Sequence, residues 1–408
     1  MTDVLRKFGP VLAAFVGCLV YMLGAMSRVA VPGMVFERIV SDYGFTHAQV
    51  AMLPSVGVLG CMAFIGVGGI LVDRFGWLRM LLIGAAIQAV GYIPVHESTN
   101  LLWMLAGEFV NGGGRTLVYL SILKLFDVSF NRRAFAALIG IFYVFSYGGT
   151  LGASAVFPAL MEHCGSWQLA ARAINSGTLA AAVGIALFAG FGLHTHTPQT
   201  PTPKREVFPI RSMVASFKSP RARMAILATG LNIAVYWSFL CVGAAPFART
   251  LGDVSLVSHM NWVVVAGMTL MGSVSLLLHN ARRPFFMWGS GALVAAFAIL
   301  LVASSSGIRD LTVYRTAYLL VGAGYGVTSV LLAGTKECVP TIYMASAIGF
   351  TNFFANIVQV GANQVSGKLM ATGADGYTWT FALYLALALV SCAAACRFAL
   401  TRETPPAI

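Results

Sequence analysis

Apolar blocks alternate with short polar turns along almost the whole chain, and each block is long enough to cross about 30 Å of hydrocarbon as a helix. Counted by apolar run and bounding charge, they fall near residues 10–35, 48–72, 77–95, 101–125, 134–160, 174–193, 224–248, 257–278, 284–304, 312–333, 343–369 and 378–398. The pattern predicts an all-α membrane protein of twelve transmembrane helices, and an even number of crossings puts both termini on one side. Between the second and third blocks lies Gly69-Ile-Leu-Val-Asp73-Arg74-Phe-Gly76-Trp-Leu-Arg79. A short glycine-flanked turn carrying a carboxylate and two guanidiniums must lie in water or at the lipid headgroups, so it reads as a hairpin between two membrane helices.

Composition agrees with this pattern. Apolar residues make up 58% of the 408, charged residues 10%, and the mean hydropathy is +0.81, whereas a soluble core of this size needs a charged skin. With the termini inside, the inner segments hold eighteen Lys and Arg against six outside, Arg38, Arg172, Arg249, Arg309, Arg315 and Lys368. That threefold excess predicts cytoplasmic termini in the inner or plasma membrane. Basic inner loops facing anionic lipid account for the net charge of +12, so no nucleic-acid partner is implied. The seven scattered cysteines suggest neither a disulfide framework nor a metal site. Met1 to Lys7 leads into the first block without a cleavage site and reads as an uncleaved helix rather than a signal peptide.

The largest polar interruption, residues 194–222, starts with a proline-rich run that excludes regular helix, followed by a basic stretch. It divides the chain into an N-terminal six-helix bundle (1–193), a cytoplasmic linker (194–222) and a C-terminal six-helix bundle (223–408). Phe208 to Phe217 could lie on the membrane as a short amphipathic piece, the alternative being a plain spacer. The halves repeat weakly: Glu108-Phe-Val-Asn111-Gly112-Gly-Gly114 aligns with Tyr318-Leu-Leu-Val-Gly322-Ala-Gly324, and Ala137-Leu-Ile-Gly140 with Ser346-Ala-Ile-Gly349, at the same span offset. Two bundles descended from one unit place a site between them near the midplane.

The hairpin pattern G-x-L-x-D-R-x-G-x-x-R, with its apolar flanks, resembles the signature that the major facilitator superfamily carries between its second and third helices. Tyr21 and Arg28 in the first span, Asp42-Tyr-Gly-Phe-Thr-His-Ala-Gln49, Leu123-Lys124-Leu125 and Phe130-Asn-Arg132-Arg133-Ala134 are similar to the sugar-phosphate permease and organophosphate:phosphate antiporter relatives. The resemblance implies a secondary transporter working by alternating access, with the first-span arginine on an anionic group. The chain departs from those relatives in span seven. Aligning Pro32 with Pro246 sets Val242 opposite Arg28, and Asn232, Tyr236 and Trp237 stand where a second arginine is often found.

It departs again in span four, where the superfamily's R-x-x-x-G-x-G begins here with Glu108. Glu108, Asn111 and Arg115 are spaced i, i+3, i+7 and so share one helix face, the two charges about 10 Å apart along the axis. An intramembrane charge is costly and marks function by default. Arg28 and Arg115 would then offer positive charge to an anionic substrate while Glu108 takes and releases a coupling proton, since burial opposes ionisation of a carboxyl and a guanidinium favours it. The alternative is that Glu108 pairs permanently with Arg115 or Arg28 and holds helices together.

Span eleven carries Asn352, Asn356, Gln359 and Asn363 at i, i+4, i+7, i+11, and span five carries Tyr143, Tyr147 and Thr150, stripes that must face protein or a wet cavity. Tyr21, Asn111, Tyr143, Tyr147, Tyr236, Asn352, Asn356 and Gln359 therefore join Arg28 and Arg115 as candidate substrate contacts; the alternative for each polar group is helix-to-helix glue. Gly112 to Gly114 are expected to permit close helix packing. In the relatives the hairpin acid docks on positive groups and holds one conformation. By that resemblance Gly69, Asp73, Arg74, Gly76, Arg79 and Arg133 form a conformational latch, with Arg132, Arg133 or the N-terminus of span eleven as partners for Asp73.

No metalloprotease, nucleophile-elbow or P-loop motif is present, so an enzyme, a cofactor, a metal and ATP-driven pumping are not implied. The reading is a monomeric secondary transporter whose partners are a small-molecule substrate and the lipid bilayer, carrying a small organic anion by proton symport. Efflux of drug-like or metabolite compounds by proton antiport is the runner-up. It is disfavoured by Gly148-Gly-Thr-Leu-Gly152 standing where many antiporters carry G-x-x-x-G-P-x-x-G-G. A non-transporting sensor is the alternative from another class.

Overall fold

The computed structural model describes residues 2–130, 132–190, 219–278, 281–338, 344–373 and 375–401. They form twelve membrane spans: Thr2–Val29 extended by a π-helical turn Ala30–Met34, Met52–Phe75, Trp77–Glu97, Leu101–Ser129, Arg132–Cys164, Trp167–Gly190, Pro220–Ser238 extended through Phe239–Gly243 and Ala244–Thr250, Ser255–Leu277, Arg283–Ser305, Leu311–Gly326 continued by Thr328–Glu337, Met344–Met370, and Gly376–Leu400. Among the described residues, nine stretches are long and apolar enough by themselves to cross a membrane. The seventh span starts at Pro220, inside the expected linker, because Ser219 caps it through the Ala222 N–H and a proline at the first helical position forfeits no hydrogen bond. The rest of that linker, with Phe208 to Phe217, lies outside the described residues.

The chain forms two compact units, Met1–Val35 with Leu53–Phe208 and Phe36–Met52 with Pro209–Ile408. Inside the first, span one packs on spans four, five and six, span three on four and six, and five on six. Inside the second, span seven packs on eleven and twelve, nine on ten and twelve, eight on ten, and eleven on twelve. With span seven also on ten, and span two meeting four through Gly57 and Gly112, this is one pattern shifted by six spans. Glycines explain why. A methyl group on Gly112 would overlap the Gly57 carbonyl of span two, and one on Gly114 the Gln88 backbone of span three. Their repeat partners do the same work: a methyl group on Gly322 would strike the Met260 carbonyl of span eight, and one on Gly324 the Gly289 carbonyl of span nine. In hydrocarbon no hydrophobic effect drives helices together, so close backbone approach is what makes such packing favourable.

Spans one and seven each contain a π-helical turn, at Ala30–Met34 around Pro32 and at Phe239–Gly243 just before Pro246. Proline cannot donate to the i−4 carbonyl, and a wider turn relieves the clash. The hairpin after span two turns at Gly76, whose φ of 85° suits glycine alone.

Residues 36–52 follow span one in sequence but belong to the second unit. Helix Phe36–Tyr43 leads to His47–Val50, which opens with a Thr46/Gln49 capping box. Gln364 of span eleven donates to the Ala51 carbonyl at 3.2 Å, and Gly367 lets that span lie against His47 and Ala51. Glu37 ties the segment down, meeting His47 Nε2 at 3.3 Å and accepting from the Tyr377 hydroxyl at 3.2 Å. Burial alone would raise the Glu37 carboxyl, but the His47 and Tyr377 hydrogen bonds and the charges of His47 and Arg249 outweigh it, so it titrates below its ordinary value. Arg38 acts on Arg249 in turn.

A depressed folded value means that this tie is complete above the ordinary carboxylate range and is lost as pH falls through the lowered one. Amide exchange in residues 36–52 should therefore accelerate on acidification past that point, and Glu37→Gln should abolish the dependence. The packing argument predicts that Gly112→Val lowers the apparent melting midpoint in detergent, at an overpacking cost of roughly 1–3 kcal/mol. Gly69→Ala should not lower the midpoint, because no neighbouring helix lies within 4 Å of a methyl group there and alanine favours helix over glycine.

Candidate functional site

In the first unit, span four begins at an Asn100 cap and carries Glu108, Asn111 and Arg115 along one buried face, 1%, 1% and 3% exposed. Each meets a different neighbour. Glu108 lies against Gly57 of span two, where a side chain would strike its Oε2. Asn111 donates to the Gln88 carbonyl of span three at 3.0 Å. Arg115 donates Nη2 to the Cys61 thiol of span two at 3.2 Å, and that thiol donates to the Gly112 carbonyl at 3.3 Å. The 10 Å spacing keeps Glu108 and Arg115 from closing on each other along a straight helix, and Glu108 Oε1 and Arg115 Nη1 are both buried without a hydrogen-bond partner.

Span one supplies a matching pair. Tyr21 and Arg28 are also seven residues apart, both half-buried, with Arg28 in the last turn before the π-helical bend. Arg28 and Arg115 both lie near enough to Tyr21, Cys61 and Glu108 to act on them electrostatically. Tyr21 packs against Phe142 of span five and Tyr119 of span four, ring centroids 4.8 and 6.0 Å apart. Tyr143 stacks on Tyr147 one turn along span five at 6.1 Å. One unit thus gathers Arg28, Arg115, Glu108, Cys61 and a wall of tyrosines.

The second unit answers with neutral groups. Tyr236 is wholly buried; its ring stacks on Tyr325 at 3.7 Å and its hydroxyl donates to Asn261 at 2.9 Å. Trp237 Nε1 donates to the Tyr325 hydroxyl, while Asn232 donates to the Gly324 carbonyl and accepts from Thr328. In span eleven Asn352 and Asn356 are half-buried, Gln359 and Asn363 buried, and Gln359 Nε2 has no hydrogen-bond partner. Along the helix the stripe runs from half-buried at Asn352 to buried at Asn363.

The hairpin has a partner that the sequence reading did not name. Asp73 pairs with Lys124 of span four at 2.8 Å; the side chains of Arg132 and Arg133, its expected partners, lie outside the described residues. Lys124 lies on the preceding helix, which puts it within reach while span four is still regular. Arg74 covers the Phe75 ring at 5.4 Å, and Arg79 is exposed. Sequence reasoning also missed Cys61 and Gln88. The signal for Cys61 was its place four residues after Gly57, the glycine that admits Glu108, which puts the thiol on the same face one turn away. Gln88 lies against Gly24 of span one with its Oε1 buried and unpartnered, and a lone glutamine in an apolar helix gave only a weak signal. All seven cysteines are free, and among the described residues no cluster of histidine, cysteine and acidic side chains is placed to hold a metal.

The family model for the Major Facilitator Superfamily matches residues 13–362. No curated protein sequence matches this chain. Among solved structures it is similar to a bacterial homolog of the human lysosomal transporter Spinster in its inward-facing, unoccupied conformation, at 13% identity over 96% of each chain with a TM-score of 0.73. It is also similar to the peptide transporter POT in complex with sulfate, at 14% identity over 96% of this chain and 95% of that one with a TM-score of 0.75. The nucleoside transporter NupG gives 14% identity, 96% and 99% coverage, and a TM-score of 0.72. Likeness at such low identity establishes the fold, and the family model establishes the kinship: with twelve spans in two repeated bundles, this chain belongs to the major facilitator superfamily.

Proposed function

We propose that this protein is a secondary transporter that moves a small organic anion by alternating access and couples it to protons through Glu108. Arg115 carries the reading. A buried guanidinium that meets a thiol instead of a carboxylate, and leaves Nη1 without a partner, is a positive charge whose counter-ion comes from elsewhere. Arg28 supplies the second positive charge, and Tyr21, Tyr143 and Tyr147 the hydroxyls around it. Asn352, Asn356 and Gln359 are the second unit's candidates for the neutral part of the substrate, while Asn111 and Tyr236 act mainly by bracing their neighbours.

Glu108, buried and acted on by two guanidiniums, is the proton carrier. The Asp73–Lys124 pair with Gly69, Arg74, Gly76 and Arg79 is the latch that favours one conformation, and Arg133 remains its candidate member from the following loop. The excess of inner Lys and Arg supports cytoplasmic termini in an inner or plasma membrane, and the protein works there as a monomer.

Stabilisation of the purified protein by benzoate, succinate or glycerol 3-phosphate, but not by choline, is the expected result of a melting screen. Arg115→Gln should weaken the response about 10- to 100-fold and Arg115→Lys less, in line with loss of a charge-assisted hydrogen bond. In proteoliposomes, uptake of the stabilising anion should accelerate under an inward proton gradient, and in Glu108→Gln the rates with and without the gradient should coincide. A gradient response intact in Glu108→Gln ends the proton role. Stabilisation by choline alone ends the anion reading, and flux only outward replaces uptake with efflux.

A further inference from the structure

Span two carries a nucleophile that transport as proposed above leaves unused. Cys61 lies one turn after Gly57, where the backbones of spans two and four touch. A methyl group on Gly60 would strike the Phe109 carbonyl, one on Gly112 would lie 3.2 Å from the Cys61 nitrogen, and Thr116 donates to the Cys61 carbonyl at 3.4 Å. That packing fixes the sulfur against Arg115, which donates Nη2 to it at 3.2 Å, while the thiol gives its own proton to the Gly112 carbonyl at 3.3 Å. Cys61 is only half-buried, which leaves a side from which a small reagent approaches.

A neutral thiol is a poor partner for a guanidinium, and an anion on the same sulfur is a good one. Arg115 is 3% exposed, spends one donor on that thiol and leaves Nη1 buried without a hydrogen-bond partner. Arg28 also acts on the sulfur. Both positive charges stabilise negative charge that develops on sulfur as it attacks an electrophile. Once an oxygen is added to that sulfur, it supplies the acceptor that Nη1 lacks.

We propose that Cys61 is a peroxide-sensitive site whose sulfenate pairs with Arg115 and takes that charge out of use until a thiol reduces it. Hydrogen peroxide is small and uncharged, as a half-buried sulfur requires. The sulfur lone pair attacks one peroxide oxygen, so that the S–O bond forms as the O–O bond breaks. Sulfur loses two electrons to the peroxide, and the thiol proton joins the departing hydroxide as water. The sulfenic acid then ionises, its proton passing to water, and is held beside the guanidinium. Reversal consumes two molecules of a small thiol, which leave as a disulfide together with one water and restore the Cys61 thiol. Only the consequence rests on the anion reading above: a substrate anion that needs Arg115 finds it already answered.

Trapping with dimedone, which reacts with sulfenic acids, tests it on the full-length protein in detergent after reduction and then treatment with hydrogen peroxide. In peptide mass spectrometry Cys61 should carry the adduct, and dithiothreitol added before dimedone should prevent it. Cys18, in the apolar core of the same unit, should stay unmodified. Arg115→Gln should slow the Cys61 adduct about tenfold or more and Arg115→Lys less, the range that loss of one charge-assisted hydrogen bond gives. A second measurement needs no arginine variant to fold. Cys61→Asp puts a permanent carboxylate beside Arg115, so its melting midpoint should exceed that of Cys61→Asn, and its stabilisation by benzoate or succinate should shrink relative to the unsubstituted protein. No adduct at Cys61, an adduct rate unchanged in a folded Arg115→Gln, or a Cys61→Asp midpoint no higher than that of Cys61→Asn overturns this inference and leaves the anion reading standing. Undiminished anion stabilisation in Cys61→Asp overturns the switch. A reduced protein that no anion stabilises, with Cys61 trapped as expected, ends the anion reading and leaves the thiol chemistry intact.

Discussion

Everything specific about this protein follows from the cost of placing charge in hydrocarbon. A membrane interior admits a guanidinium only where something answers it, and Arg115 is answered within the described contacts by a thiol and by the distant pull of Glu108. An arginine is ordinarily satisfied by a carboxylate at hydrogen-bond distance, and this chain does that at an exposed pair, Arg172 of span six and Glu97 of span three, where two bonds of 2.7 Å close the fork. The contrast lies within one unit. Two helices close the exposed pair, whereas span four carries both buried charges and helix geometry keeps that pair open by setting them seven residues apart.

The scaffold around that cluster was readable from the sequence because its rules are coarse. Block length gave the twelve spans, and Gly76 with its flanking charges gave the hairpin. The Gly112/Gly114 and Gly322/Gly324 alignment gave the repeat, which the packing of span four on two and three and of span ten on eight and nine reproduces. Partners were harder to read. Asp73 found Lys124 because a lysine stem of four carbons reaches across from a neighbouring helix, and no periodicity ranks that reach above the arginines of the next loop. Cys61 was invisible for a different reason: a thiol is indistinguishable from a small hydrophobe until a donor is seen to point at it. Residues 36–52 joined the second unit although they directly follow span one, since a short amphipathic pair of helices takes whatever polar partners it meets, here Tyr377 and Gln364.

The two units share a skeleton and differ in charge. Where the first carries Glu108 the second carries Tyr318, whose hydroxyl donates to the Ala244 carbonyl at 2.6 Å beside the bend of span seven. Where the first carries Arg115 the second carries Tyr325, stacked on Tyr236 and accepting from Trp237. Glycines are retained at both ends of the repeat and the ionised groups at only one. The glycines answer to backbone distance, a constraint every bundle of this kind shares, whereas the residues between them answer to what the bundle carries.

That division fixes how the labour falls on the two units. A stacked tyrosine pair with its hydroxyls hydrogen-bonded is a rigid, neutral surface, while the split pair leaves two charges with no direct contact between them. Keeping the charged pair in one repeat and aromatic rings in the other confines these buried charges to the first unit. They sit on span four, seven residues apart at Glu108 and Arg115, and the rest of the first unit holds that spacing in place.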